Sequence, residues 1–215
     1  MYKAIFFDLD GTLTESGEGI TKSVQYALEK LGVEAPDLKD LEVFVGPPLL
    51  EQFMKYAGFD KKTAEKAIEF YRERYTEKGM FENTVYPGVE ETLSELKRRG
   101  YRLAVASAKP ALYVTQIMDH FNLSQYFEVI AGTDLNGPKI TKSQVIEEAL
   151  EKMNLSDHRD QVIMVGDREH DILGARKCDV QCVAVTYGYG SREELEKAQP
   201  LQIVDSAAEL LNFFD

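Results

Sequence analysis

Ala4-Ile5-Phe6-Phe7-Asp8-Leu9-Asp10-Gly11-Thr12-Leu13-Thr14 is the stretch on which the reading of this chain turns. Four apolar residues run without alternation, as expected of a strand covered on both faces of a parallel sheet. Two carboxylates follow, two positions apart, and in an extended chain that spacing points both side chains the same way. Gly11 then lets the chain turn sharply. Ligands of open parallel sheets sit beyond the carboxyl ends of the strands. Asp8 and Asp10 are therefore candidate functional residues, the plain alternative being a solvated turn.

Outward from this stretch, similar apolar runs recur at residues 103–106, 127–130, 162–165 and 182–185, with a short one at 202–204. Helical periodicity fills the intervals at residues 89–99 (closed by Gly100), 112–121, 143–153 and 168–177. Strand alternating with helix predicts an α/β fold with a doubly wound parallel sheet. Residues 15–86 break the pattern. They carry helical patterns at 20–31, 49–57 and 61–78 and no strand run. An interval of roughly 70 residues is too long for a crossover. The sequence thus predicts an α/β core from residues 1–14 and 87–215, and an inserted all-helical unit from 15–86. Tyr86-Pro87-Gly88 marks the return to the sheet. Tyr71 and Tyr75, four apart on one helix, are expected in the core of the helical unit.

Composition narrows the function. The net charge is −12, from 25 basic and 37 acidic residues. Such a surface repels nucleic acid and anionic membranes, so neither is an expected partner. A small anionic substrate would need a local cationic pocket. No apolar run approaches the ~20 residues that cross a bilayer, and the first one meets Asp8 too early for a signal peptide. The expectation is a cytoplasmic protein, monomer or homodimer. Cys178 and Cys182 read as inert core thiols. His120, His158 and His170 are scattered without zinc-ligand spacing.

Three further segments carry chemistry. In Gly166-Asp167-Arg168-Glu169-His170-Asp171, a second apolar strand ends in Gly-Asp, and Asp171 lies four residues on, on the same face of a helix start. Asp167 could be an ordinary N-cap, but with Asp8 and Asp10 at another strand end a hard-cation site is favoured. In Ala106-Ser107-Ala108-Lys109-Pro110 a hydroxyl stands where a strand enters a helix, a place that binds phosphate; a plain turn or cap is the alternative. In Lys139-Ile140-Thr141-Lys142-Ser143 a lysine stands at a helix start, where the macrodipole disfavours it.

Together, Asp8-Leu9-Asp10-Gly11-Thr12-Leu13-Thr14, Ser107, Lys142 and Gly166-Asp167-Arg168-Glu169-His170-Asp171 resemble the four ordered motifs of the haloacid dehalogenase-like hydrolases. The helical insert resembles that superfamily's α-helical cap. Gly46-Pro47-Pro48-Leu49 and Tyr86-Pro87-Gly88 are similar to its phosphoglycolate phosphatase and 5′-nucleotidase-like branch. The resemblance implies a Mg²⁺-dependent phosphatase of small phosphate monoesters. Asp8 would be the nucleophile, and Asp10 the acid and base. Asp8, Asp10 (through its carbonyl) and Asp167 would hold Mg²⁺, with Asp171 in support. Ser107 and Lys142 would bind the phosphoryl group; Lys139 is the rival lysine. Gly46, Pro47 and Lys109 are the candidate substrate contacts. The second carboxylate, Asp10, sets the chain apart from the halide-releasing branch. A phosphotransferase such as a sugar phosphomutase would share this set, and a phospho-receiver module would share part of it.

Overall fold

The computed structural model describes residues 2–34, 36–135 and 140–214. The chain forms two compact units, Met1–Thr14 with Val85–Asp215, and Glu15–Thr84.

The strands are β1 (Ala4–Phe7), β2 (Thr14–Glu15), β3 (Thr84–Val85), β4 (Arg102–Pro110), β5 (Val129–Thr133), β6 (Val162–Gly166), β7 (Gln181–Val185) and β8 (Gln202–Val204). Six of them make one parallel sheet in the order β5-β4-β1-β6-β7-β8. The chain leaves β1 for β4 and β5 on one side, then returns past β1 to β6, β7 and β8. The order therefore reverses at β1, and this places the binding crevice at the carboxyl ends of β4, β1 and β6.

The helices are α1 (Gly17–Lys30), α2 (Leu49–Tyr56), α3 (Lys61–Glu77), α4 (Val89–Arg98), α5 (Ala111–His120), α6 (Lys142–Lys152), α7 (Glu169–Lys177), α8 (Arg192–Ala198) and α9 (Ala207–Phe213). Both sheet faces are covered, which explains why the strand sequences do not alternate. Phe6, Ala104, Met164 and Ala184 join one core with Val145, Ile146 and Ala149 of α6 and Ile172 and Ala175 of α7. Ile5, Phe7, Val105 and Val165 are equally buried on the pleat's other side, as are Leu93 and Leu96 of α4 and Leu210 of α9.

Cys178 and Cys182 are buried and free. Burial pushes the Cys178 thiol up to about 12 and raises Cys182 too, so neither forms a ready thiolate at neutral pH.

The unit of Glu15–Thr84 has its own core. Helices α1 and α3 pack together. Phe44 meets Phe53 and Tyr56 at ring separations of 5.0 and 5.4 Å, and Tyr71 stacks on Tyr75 at 5.1 Å. Arg74 grips both carboxylate oxygens of Glu82 at 2.7 and 3.0 Å.

Three expectations shift. The run at 127–130 becomes a strand two residues later, at Val129–Thr133, because Tyr126 closes a helical turn over Ser124–Tyr126 and Phe127 caps it. The sequence reading places no strand between 15 and 86, yet β2 and β3 reach into that interval and pair with each other; elements of two residues carry no pattern to read. Ser107 does not open a helix. It lies within β4, and α5 begins at Ala111 behind Pro110, whose fixed φ suits a helix start.

Candidate active site

The sheet register brings the quoted motifs together. Phe7 is level with Val105 and with Val165, so the residues just beyond those rungs (Asp8, Ser107 and Asp167) emerge at one edge. Asp8 N–H still donates to Val165 O at 3.0 Å. Beside them β4 leaves its ladder. Ala106 pairs with Ala131 and Pro110 with Thr133, so four steps on β4 match two on β5. The segment Ser107–Lys109 therefore bulges out at the binding edge, and Lys109 N–H turns back to Ser107 Oγ at 3.4 Å.

Asp8 is 6% exposed and Asp167 and Asp171 are fully buried. Asp8 Oδ1 accepts from the Leu9 N–H at 2.8 Å. Its Oδ2 lies 2.8 Å from Lys142 Nζ, and the same ammonium lies 2.8 Å from Asp171 Oδ1. Lys142 also donates to Ala106 O at 3.2 Å. This accounts for a lysine set against a helix dipole. Lys142 is the first residue of α6, where Thr141 and Gln144 form a capping box, and two buried carboxylates outweigh the dipole. Asp171 Oδ2 accepts from Arg168 N–H at 3.0 Å, closing the start of α7. Lys139, the rival lysine, lies outside the described residues.

Asp167 is not the cap of α7; Arg168 holds that position. Its carboxylate instead takes the Tyr189 N–H at Oδ2, 2.8 Å away, and the Thr12 hydroxyl at Oδ1, 3.3 Å away. The loop Gly188-Tyr189-Gly190 after β7 makes this possible. A Cβ on Gly188 would stand 2.2 Å from Gly11 O and 2.5 Å from Asp167 Oδ2. Gly11 has φ of +82° and is as tightly placed, since a Cβ there would sit 2.1 Å from Asp167 Oδ2. Tyr187 ties the same loop down by donating from its hydroxyl to Thr12 O at 3.1 Å.

The electrostatics are unbalanced. Burial raises the Asp8 carboxyl; Lys142 opposes this and Asp171 adds to it. Burial lifts Asp167 well above the carboxylate range, and the charges of Asp171 and Asp8 lift it further. Burial acts on Asp171 too, but Lys142 and then His170 outweigh it and hold that carboxyl low. Burial opposes the charge on Lys142, yet Asp171 and Asp8 keep the ammonium above its ordinary range. Among the described residues Lys142 thus pairs with Asp8 and Asp171 and not with Asp167, on which only the charge of Arg168 acts to lower the carboxyl. A divalent ion with oxygen ligands fits this donor set. Asp8, His170 and Asp171 also offer ligand atoms within 4.8 Å of one another.

Four participants were not marked by the sequence reading: His170, Thr12 as a hydroxyl donor, the Gly188–Gly190 loop, and Lys109 as partner of Asp10. Lys109 Nζ bridges Asp10 Oδ1 and Oδ2 at 2.6 and 2.7 Å. The glycine-rich loop at the end of a strand was the available signal for Tyr189; nothing local points to the others. Gly46 and Pro47 belong to the helical unit, between the turn Leu38–Phe44 and α2, with Gly46 exposed at φ of +96°. Among the described residues no helix is long and apolar enough to cross a membrane.

The family model described as "Haloacid dehalogenase-like hydrolase" matches residues 5–185, which include the strand ends around Asp8, Ser107 and Asp167. The chain belongs to this family. Among family members, a 5′-nucleotidase from Pseudomonas aeruginosa is 45% identical over 93% of this chain and 89% of its own length. A tyrosine-protein kinase, PtkA, from Mycobacterium tuberculosis is 36% identical over 94% and 68%. A phosphoglycolate phosphatase from Pseudomonas savastanoi is 30% identical over 97% and 78%. The crystal structure of a "predicted phosphatase" from Clostridium acetobutylicum covers 100% of this chain and 98% of its own, with a TM-score of 0.94 at 48% identity. The haloacid dehalogenase-like family and the α/β core expected from the sequence are thereby established.

Proposed function

We propose that the protein is a Mg²⁺-dependent phosphatase that hydrolyses small phosphate monoesters through an aspartyl phosphate on Asp8. The observation that carries this reading is the Asp8 carboxylate itself. It stands at the switch point of the sheet, oriented by Leu9 N–H and Lys142 Nζ, with Ser107 at the neighbouring strand end. The names of the relatives support a phosphatase.

In this reading Asp8, Asp167 and the Asp10 carbonyl hold the ion, with Asp171 in support. When bound, the ion supplies charge neutralisation at the phosphoryl oxygens. An Asp8 oxygen attacks phosphorus, the ester P–O bond breaks, and Asp10 gives its proton to the departing oxygen. Asp10 then takes a proton from water as the water oxygen attacks phosphorus and the Asp8–phosphoryl bond breaks, which returns both carboxyls to their starting state. Lys142 and Ser107 steady the phosphoryl oxygens.

Phosphate release from a panel of monoesters, among them phosphoglycolate and nucleoside monophosphates, tests the reading with Asp8→Asn as blank. Acid quenching during turnover should trap one phosphoryl group on the peptide bearing Asp8. Release that persists in Asp8→Asn sinks the proposal. The kinase name of one relative keeps phosphotransfer as a second reading, which label moving from substrate to a tyrosine peptide instead of to water would support.

A further inference from the structure

The segment from Tyr189 to Glu194 grips Asp167, Arg168 and Glu169 in turn, where β6 passes into α7. Tyr189 N–H donates to Asp167 Oδ2 at 2.8 Å. Gly190 lies so close to the same residue that a Cβ there would stand 2.0 Å from Asp167 O. Glu194 Oε1 then lies 2.8 Å from Arg168 Nε and accepts the Glu169 N–H at 2.9 Å.

The last contact meets a need of the helix. Arg168 stands at the N-cap of α7, and a guanidinium has no acceptor to offer the first backbone N–H groups. Glu194 supplies that acceptor from α8, and a carboxylate is favoured at a helix N-terminus. Its own place is set by Ser191, whose Oγ accepts the Glu194 N–H at 3.1 Å. The Arg168 and Glu194 side chains are each 21% exposed, so water screens the pair only in part. Arg168 follows Asp167 directly, and its charge reaches that carboxyl, which it lowers. The same charge acts with opposite sign on a cation held there: it repels.

We propose that Glu194 is a positioning residue for the divalent ion: by pairing with Arg168 and holding the first turn of α7, it lets a cation bound at Asp167 meet a balanced pair instead of a positive charge lacking that counter-charge. This rests on the Mg²⁺-dependent reading of the site. Glu194 is no ligand in this account; it acts through Arg168. Groups that act behind a metal ligand in this way change affinity about 10–100-fold when replaced.

Glu194→Gln isolates the charge, because its amide oxygen can still accept the Glu169 N–H. Mg²⁺ binding is measured by titration calorimetry for the wild type, Glu194→Gln, Arg168→Met and the double variant, with thermal melts as the fold control. Glu194→Gln should bind Mg²⁺ roughly tenfold more weakly, at the low end of that range. Arg168→Met should bind at least as tightly as the wild type, and the double variant should recover most of the loss, because it removes both charges together. A clamp that works by shape alone gives another order: Arg168→Met binds weakly and the double variant no better. Unchanged affinity in Glu194→Gln overturns the inference, as does weaker binding by Arg168→Met or a double variant that recovers nothing. If Glu194→Gln does not fold, Arg168→Met decides: weaker binding overturns the inference and binding at least as tight supports it. Binding by the wild type with any of these results leaves the Mg²⁺ reading standing. A wild type that binds no Mg²⁺ removes that reading, and this inference with it.

Discussion

Replacing Lys142 by Met tests whether one ammonium holds the carboxylate cluster together. Its Nζ lies 2.8 Å from both Asp8 and Asp171, and its side chain is 3% exposed. At an effective dielectric near 20, each contact is worth about 6 kcal/mol in gross Coulomb energy. Most of that offsets the cost of burying the three charges. The net cost of removing one partner from a buried pair is about 3–5 kcal/mol. For a chain of this size 1 kcal/mol moves Tm by about 2–4 °C, so Lys142→Met should melt roughly 6–20 °C early. Methionine fills similar volume, so the loss is electrostatic rather than a cavity. Two results identify the cause. The double variant Lys142→Met/Asp171→Asn should recover part of the loss, because it neutralises one stranded carboxylate. Excess Mg²⁺ should raise Tm more in Lys142→Met than in the wild type, because the ion becomes the cluster's remaining counter-charge. Differential scanning calorimetry with and without Mg²⁺ reads all of these. A variant that melts within about 1 kcal/mol of the wild type without metal would refute the reasoning.

Other variants probe separate links. Asp167→Asn keeps the shape, accepts the Tyr189 N–H at its amide oxygen and can donate its amide N–H to the Thr12 hydroxyl, but it removes the charge; it should leave the metal-free Tm unchanged or raise it, and abolish the rise with Mg²⁺, which at a hundredfold excess over Kd is about 2.7 kcal/mol in the wild type. A fall in metal-free Tm with the Mg²⁺ response intact would count against Asp167 as a ligand. Gly188→Ala forces a Cβ against Gly11 O and Asp167; it should cost about 1–3 kcal/mol in urea denaturation and weaken Mg²⁺ binding about 10–100-fold by calorimetry, whereas unchanged binding would show that Tyr189 does not orient Asp167. In the helical unit, hydrogen bonds from Arg74 hold Glu82 below its ordinary range. A depressed carboxyl stabilises the fold above the unfolded value of about 4.3, and this is lost as pH falls through the lower folded value. Glu82→Gln should therefore destabilise by about 0.5–1 kcal/mol at pH 7 and by almost nothing near pH 3; an equal loss at both pH values would refute the ion pair as the cause.

The parallel sheet was legible because it is buried on both faces. Every core strand had to be an unbroken apolar run, and four residues such as Ala4–Phe7 suffice to show one. The long helical interval was legible by the same logic, as an absence of such runs. The carboxylates Asp8, Asp10 and Asp167 stood out because acidic residues directly after buried strands call for a reason, and Asp171 because it follows Asp167 by four; a lysine against a helix dipole was a weaker signal, and only the family resemblance favoured Lys142 over Lys139. Only the tertiary structure joined them. Register between β1, β4 and β6 decides that Asp8, Ser107 and Asp167 share an edge, and register depends on pairings between residues as distant as Ala4 and Arg102 or Ala4 and Val162 that no local pattern encodes. The grip of Lys109 on Asp10, the hydrogen bond from Tyr189 to Asp167 and the approach of His170 to Asp8 are of this kind. Each depends on where a bulge, a glycine-bounded loop or a helix start comes to rest once both faces of the sheet are packed.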